Sequence, residues 1–253
     1  MTPKTDLTTE ELLTKRGAFI RDMFASIASI YDLMNSLLSL MFDRRWRDTA
    51  VKAARLPKGA LVLDVCCGTG KLALQFLRIL GPKAHVVGAD FCRDMILAGL
   101  RHVRPRERAL VHFMEADTLL LPFPDNTFHA VSVAFGLRNV ADLECAVAEM
   151  VRVAKTGGKL LVLDFARPRN AVFRRIYEFY FTRMVPLAGR MVQRRKTSPY
   201  EYLPQSVLRF VTAAELAALL ARHGVTNVET KELTMGIAAL VHGTKSPIVV
   251  EKK

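Results

Sequence analysis

The run Val62-Leu63-Asp64-Val65-Cys66-Cys67-Gly68-Thr69-Gly70 constrains this chain more than any other stretch. Apolar residues around a late carboxylate read as a buried parallel strand, followed by a glycine-bearing turn. Lys71 to Leu80 then reads as the helix that the turn feeds, with Leu72, Phe76 and Ile79 on one face. Gly68 and Gly70 carry no Cβ, so such a turn brings backbone N–H groups and a helix N-terminus close to a ligand. A second strand, Ala84 to Ala89, closes on Asp90, twenty positions beyond Gly70. An acid at that distance is placed to hold the two hydroxyls of a ribose. The spacing predicts a nucleoside pocket.

What the turn lacks narrows the nucleoside. The dinucleotide pattern G-x-G-x-x-G is absent, and Gly70-Lys71 is no P-loop, because Val65 and Leu72 stand where a glycine and a magnesium-binding hydroxyl belong. A carboxylate at Asp64 repels phosphate and suits a cationic amine. An adenosine carrying an ammonium and a sulfonium satisfies both acids, which points to S-adenosylmethionine. The competing reading is a ligand-free βαβ crossover, which the pairing of Asp64 with Asp90 disfavours.

One pass along the 253 residues gives one domain and no repeats. Residues 10–55 read as a helical lid with a stripe of Ile27, Ile30, Tyr31, Met34, Leu37, Leu38 and Met41. Strands are expected near 60–65, 84–89, 109–115, 128–134 and 158–164, alternating with helices near 71–80, 92–102 and 142–154. This predicts an α/β fold with a doubly wound, mostly parallel seven-stranded sheet. The cofactor-binding core is assigned to 56–165 and a basic aromatic insertion to 167–210. In 211–245, Thr212 to Glu215 has the form of a capping box for the last helix, ending near Gly224 before two strands near 225–232 and 236–243.

The net charge of +13 calls for an anionic partner. Between Arg167 and Lys196 stand nine Lys or Arg residues and one acid, Glu178. Phe173, Ile176, Tyr177, Tyr180, Phe181 and Met184 recur there at helical spacing. Two readings are equal on the sequence: an interfacial helix on an anionic membrane, or a helix whose stripe packs on the core. Arg101 to Arg108 reads as a solvated loop. Four cysteines give neither a disulfide framework nor, with histidine, a metal-ligand spacing, so no metal is expected. Met1 to Glu11 has no apolar signal core or Arg-rich transit pattern, and no apolar run reaches the ~18 residues of a membrane span. A cytoplasmic protein, peripheral at the inner face of the membrane, is expected.

Further segments carry a resemblance. Tyr31-Asp32-Leu33-Met34-Asn35 with Ser39 and Trp46, Leu121 to Phe128, and above all Phe135-Gly136-Leu137-Arg138-Asn139 resemble the ubiquinone/menaquinone biosynthesis C-methyltransferase family. Arg152 to Gly158, Tyr200 to Leu203 with Ser206, and Gly236 to Leu240 continue the likeness, over about residues 17–245. It implies a class I S-adenosylmethionine-dependent methyltransferase acting on a ring carbon of a polyprenylated quinol. The chain departs from the family pattern at Asp43 for His, His129 for Asp, Asp164 for Glu and Ala166 for Ser.

Combined with the chemistry of methyl transfer, the resemblance assigns roles. The enzyme has to align two reactants and stabilise a phenolate. Thr69 with the Gly68–Gly70 backbone holds the methionine portion, with Asp64 near its ammonium. Asp90 holds the ribose, and Asp117 with the Thr118 amide holds the adenine edge; Asp117 also fits a simple loop cap. Arg138 binds the developing phenolate and Asn139 orients the ring, against a structural pairing of Arg138 with Asp142. An arginine stays protonated and is no easy base. Tyr31 and Asp32 close the lid over the site or serve packing, and Tyr200 and Tyr202 are weaker quinol contacts. The acceptor is demethylmenaquinol, with a methoxy-polyprenyl-benzoquinol as alternative. An RNA methyltransferase is disfavoured by the loop after the fourth strand, so nucleic acid is not an expected partner. A non-enzymatic quinone carrier is disfavoured by the intact cofactor turn. A homodimer is left open.

Overall fold

The computed structural model describes residues 9–28, 31–39, 41–180, 183, 206–207 and 210–247. The N-terminal helical stretch divides into three helices: α1 (Thr9–Ile27), α2 (Tyr31–Leu38) and α3 (Asp43–Ala54). Met41, in the left-handed region at φ 65°, breaks the chain between α2 and α3. It therefore leaves the expected stripe and is 69% exposed.

The core alternates strand and helix as the spacing predicts. β1 (Leu61–Val65), α4 (Lys71–Leu80), β2 (His85–Asp90), α5 (Arg93–Leu100), β3 (Val111–Glu115) and β4 (Phe128–Ala134) follow in order. Then come α6 (Leu143–Val153), β5 (Ala154–Phe165), α7 (Ala171–Phe179), α8 (Ala213–Arg222), β6 (Val225–Leu233) and β7 (Ala238–Lys245). The sheet order is β3-β2-β1-β4-β5-β7-β6. β1 to β5 pair in parallel, while β7 runs antiparallel to both β5 and β6. β5 begins earlier than expected, directly at the end of α6, and its register with β4 slips between Phe128 and Ala130. Left-handed Gly157 permits that irregularity.

Alternate strand residues feed two apolar layers. Val62, Leu161 and Leu163 pack with α3, α4 and α7, whereas Leu63, Leu160 and Val162 pack with α6 and α8. Both faces of the sheet are thus covered, which explains why its strands read as continuous apolar runs. In α4, Leu72 and Phe76 are buried as expected, but Ile79 is partly exposed near the helix end. The capping box forms at α8: the Thr212 hydroxyl accepts from the Glu215 N–H, and the Glu215 carboxylate accepts from the Thr212 N–H.

The described part of the insertion settles its stripe. Tyr177 is buried, and Phe173 and Tyr180 pack against the α3–α4 layer, so this face serves the core. The opposite face carries Arg174 and Arg175 with Val172 and Phe179, which are 71% and 64% exposed. Phe181, Met184, Tyr200 and Tyr202 lie outside the described residues. Among the described residues, no helix is long and apolar enough to cross a membrane.

Candidate active site at the carboxyl ends of the strands

The turn after β1 is wound by left-handed residues at Cys66, Gly68 and Gly70 (φ 48°, 56° and 73°). Asp90, at the end of β2, fastens it: one carboxylate oxygen accepts the Gly68 N–H at 2.7 Å and the other the Cys92 N–H at 2.9 Å. Burial pushes the Asp90 carboxyl up to about 6, with those two N–H groups opposing. Gly70 does not line the cofactor-sized cavity beside the turn. It precedes α4 and lies against Phe113, where a Cβ would come within 2.3 Å of the ring.

Beside the turn opens a cavity of about 390 Å³, inside the range of small-molecule sites. Gly68, Asp90, Asp117, Thr118 and Asn139 line it together, and Gly17, Arg21 and Phe24 of α1 with Tyr31 of α2 cover it. Six of the sequence-predicted residues, Tyr31 included, therefore line one cavity beside α1 and α2. The Asp117 carboxylate accepts the Leu119 N–H at 2.9 Å, which is the loop cap, and the residue also lines the cavity.

Asp64 is placed elsewhere. It is fully buried (0% exposed), accepts the Ala73 N–H at 3.1 Å and the Ser132 hydroxyl at 2.9 Å, and is pushed up to about 7 by burial. It borders a separate void of about 20 Å³, room for about one water, together with Thr69, Asp32, Arg47 and Lys71. There the Thr69 hydroxyl donates to Asp32 at 2.6 Å. Asp64 therefore ties β1 to β4 and to the start of α4, and Asp32 anchors the lid to the cofactor turn. Tyr31 and Phe135 stand between the void and the large cavity and line both.

Arg138 does not pair with Asp142, which instead caps α6 by accepting the Cys145 N–H at 3.0 Å. Its partner is Asp164 at the end of β5, at 2.9 Å. Arg138 is 8% exposed, and its guanidinium donates also to the Phe135 carbonyl and stacks over the Phe165 ring at 5.5 Å. Burial pushes the Asp164 carboxyl up, with the arginine opposing. Arg138 Nε and Asp164 Oδ2 remain buried without a protein partner. Leaving such groups unpaired costs about 1–3 kcal/mol each; neither residue lines the cavity, whereas Asn139, next in the chain to Arg138, does.

Three contributors escaped the sequence reading. Asp164 stands out in the sequence only as a departure from the family pattern, yet a carboxylate that ends a central strand is the signal that marks it. Arg47 of α3 lies 5.5 Å over the Phe135 ring, which clusters with Trp46 and Phe165. Cys66 lines the cavity; its Sγ lies 3.3 Å from the Thr118 hydroxyl, and burial pushes the thiol up to about 12.

A glycine turn wound beside an acid-ended β2, under a seven-stranded sheet with one reversed strand, defines a class I S-adenosylmethionine-dependent methyltransferase. The cavity fits that cofactor: Gly68 is left-handed, and a Cβ there would meet Met95 at 3.3 Å. Solved structures agree on the fold. A SAM-dependent methyltransferase from Aquifex aeolicus matches with TM-score 0.57 and 20% identity over 79% of this chain and 89% of its own. One from Thermotoga maritima, described as a possible histamine N-methyltransferase, matches with TM-score 0.58 and 22% identity over 89% and 99%. At such identities they speak for the fold alone.

The family follows from the sequence matches. The chain belongs to the ubiE/COQ5 methyltransferase family, whose model matches residues 11–245. The ubiquinone/menaquinone biosynthesis C-methyltransferase UbiE of Geobacter sulfurreducens is 44% identical over 92% of this chain and 91% of its own. The demethylmenaquinone methyltransferases of Desulfitobacterium hafniense and Shouchella clausii are 37% and 38% identical, over 91% and 89% of this chain and 91% and 96% of theirs. The family and fold expected from the residues are borne out, and with them a C-methyltransferase that uses S-adenosylmethionine.

Proposed function

We propose that the chain methylates a ring carbon of a polyprenylated naphthoquinol, converting demethylmenaquinol to menaquinol. The names of the relatives from Desulfitobacterium hafniense and Shouchella clausii favour this acceptor over a methoxy-polyprenyl-benzoquinol. The observation that carries the reading is the buried Arg138–Asp164 pair, with one donor and one acceptor left over behind the cavity wall that Phe135, Gly136 and Asn139 form.

When bound, S-adenosylmethionine supplies an electrophilic methyl on a sulfonium. Asp90 holds the ribose, Gly68 and the Thr118 amide frame the rest, and Asp117 meets the adenine edge. Thr69 and Asp32 keep the turn and the lid together, and Tyr31 closes the cavity wall. The quinol ring carbon becomes nucleophilic as its neighbouring hydroxyl loses a proton. Arg138 Nε donates to the developing phenolate, directly or through one water. Asp164 Oδ2 accepts from the hydroxyl or that water, and Asn139 orients the ring. We further infer peripheral action at the inner membrane face, where a polyprenyl tail resides and the basic charge of the chain is drawn to anionic lipid.

The test supplies labelled S-adenosylmethionine with two chemically reduced acceptors, a polyprenyl naphthoquinol and a polyprenyl methoxybenzoquinol. Label in the naphthoquinol supports the proposal; label in the benzoquinol alone, or in neither while cofactor binds, refutes it. Arg138→Ala lowers turnover by about 10²–10³, the usual worth of a preorganised oxyanion donor, with cofactor affinity nearly unchanged. Equal losses in both would remove the role assigned to Arg138.

A further inference from the structure

Tyr31 faces the cofactor cavity, but its neighbour Asp32 and Ser36, one turn on, line a second cleft of about 390 Å³ between α2, α3, α4 and the loop after α5. Its walls carry five permanent cations, Arg44, Arg47, Lys71, Arg78 and Arg104, against two carboxylates, Asp32 and Asp43. Both acids are already engaged. Asp43 pairs with Arg47 and lies 4.0 Å from Lys71; Asp32 takes the Thr69 hydroxyl and lies 2.9 Å from His102 and 3.5 Å from Lys71. Arg44, Arg78 and Arg104 are exposed, and among the described residues no carboxylate oxygen lies within 4 Å of their guanidinium nitrogens; Glu107 meets only the Arg104 backbone N–H. A concave site with three uncompensated guanidinium groups is built to take an anion with several acceptor oxygens.

The rim identifies the source of that anion. Met41 lines the same cleft and stands mostly exposed on a left-handed residue, an apolar side chain raised beside the guanidinium groups. A free phosphate has no use for it, whereas the phosphodiester of a lipid carries acyl chains directly behind the charge. We propose that this cleft binds the phosphate headgroup of an anionic phospholipid and docks the protein on the bilayer. The inference rests on the membrane-borne acceptor proposed above and assigns the docking face to α2, α3, α4 and Arg104 rather than to the insertion. Asp32 joins the two sites, because the carboxylate beside Lys71 and His102 also fastens Thr69 of the cofactor turn. Docking here therefore sets the lid, α1 and α2, beside the membrane that supplies the quinol.

Co-sedimentation with phosphatidylglycerol and phosphatidylcholine vesicles tests this on the whole chain. Wild-type protein binds the anionic vesicles. The triple variant R44Q/R78Q/R104Q binds them about a hundredfold more weakly, at roughly fivefold per cation near an anionic surface. K58Q/K83Q/K231Q removes the same charge from exposed lysines elsewhere and retains binding within about fivefold. A melting temperature and an S-adenosylmethionine affinity equal to wild type show that the arginine variant is folded. Equal weakening by both triple variants overturns the cleft while leaving membrane attachment standing. A wild-type protein that ignores anionic vesicles overturns the cleft and the membrane reading together. Displacement by millimolar inorganic phosphate at constant ionic strength, or arginine-dependent capture of an oligoribonucleotide in place of vesicles, assigns the cleft to another anion and overturns the proposal.

Discussion

Gly136→Ala isolates a close backbone approach at the edge of the site. The backbone of Gly136 is ordinary, φ −108° and ψ −40°, so an alanine there meets no conformational strain. The obstacle is space: its Cβ would fall 2.3 Å from Cys66 Cβ, 3.1 Å from Val133 Cγ2 and 3.2 Å from Cys66 Sγ. Carbon atoms settle at about 3.5–4.0 Å, so the cofactor turn has to retreat by roughly 1 Å. Cys66 Cβ is fixed by its own left-handed backbone and cannot swing aside as a side-chain tip would. Overpacking of this kind costs about 1–3 kcal/mol, and in a chain of this size 2 kcal/mol lowers the melting temperature by about 4–8 °C. The displaced turn also borders the cofactor cavity, so S-adenosylmethionine affinity falls with stability. Scanning calorimetry and titration calorimetry read the two effects. Gly59→Ala, with open space around its Cβ, is the control. Cys66→Gly removes the obstructing atom, so a double-mutant cycle should recover about 1–3 kcal/mol of coupling. A Gly136→Ala protein that melts and binds like the Gly59→Ala control would refute the reasoning.

The remaining predictions concern titratable groups. The Asp90 pKa is about 6 when folded against an ordinary 3.8, so the native state holds an extra proton between those values. Its stabilising contribution is complete below pH ~4 and lost as pH rises through about 6, worth at most about 3 kcal/mol. Cofactor affinity runs the other way, falling as Asp90 protonates below pH ~6; titration calorimetry from pH 5 to 8 checks this, and a flat profile removes the ribose role. Cys66 and Cys67, both pushed up by burial beside Asp90 and Asp64, stay thiols at pH 8. Native protein should leave both unmodified by iodoacetamide, while unfolded protein reacts at all four cysteines; rapid native alkylation at Cys66 would contradict the burial. Asp164→Asn should lower turnover and alter its pH profile with the fold retained, and an unchanged profile would exclude Asp164 as the acceptor.

Much of the architecture was legible because its signals are local. The glycine turn, the capping box at Thr212–Glu215 and the apolar runs of β1, β2 and β4 each fix their own backbone with little help from distant residues. The family followed from motifs spread over most of the chain, and Gly68, Asp90, Asp117, Thr118 and Asn139 do meet at one cavity. The break of the N-terminal helix at Met41 was not legible, since apolar spacing continues across it. The stripe of α7 could not be assigned to lipid or core until the α3–α4 layer was seen beneath it.

Sequence alone determined which segments are strands and helices, that a glycine-bearing turn follows β1, and that the chain carries a large positive charge. The tertiary structure decided which charges are buried together. It paired Arg138, in the turn after β4, with Asp164 at the end of β5 and withdrew Asp64 into β1–β4 contacts. It also left Arg44, Arg78 and Arg104 uncompensated around one cleft. Backbone preference acts over a few residues, whereas desolvation and charge pairing act through space between positions whose separation in sequence gives no hint that they touch.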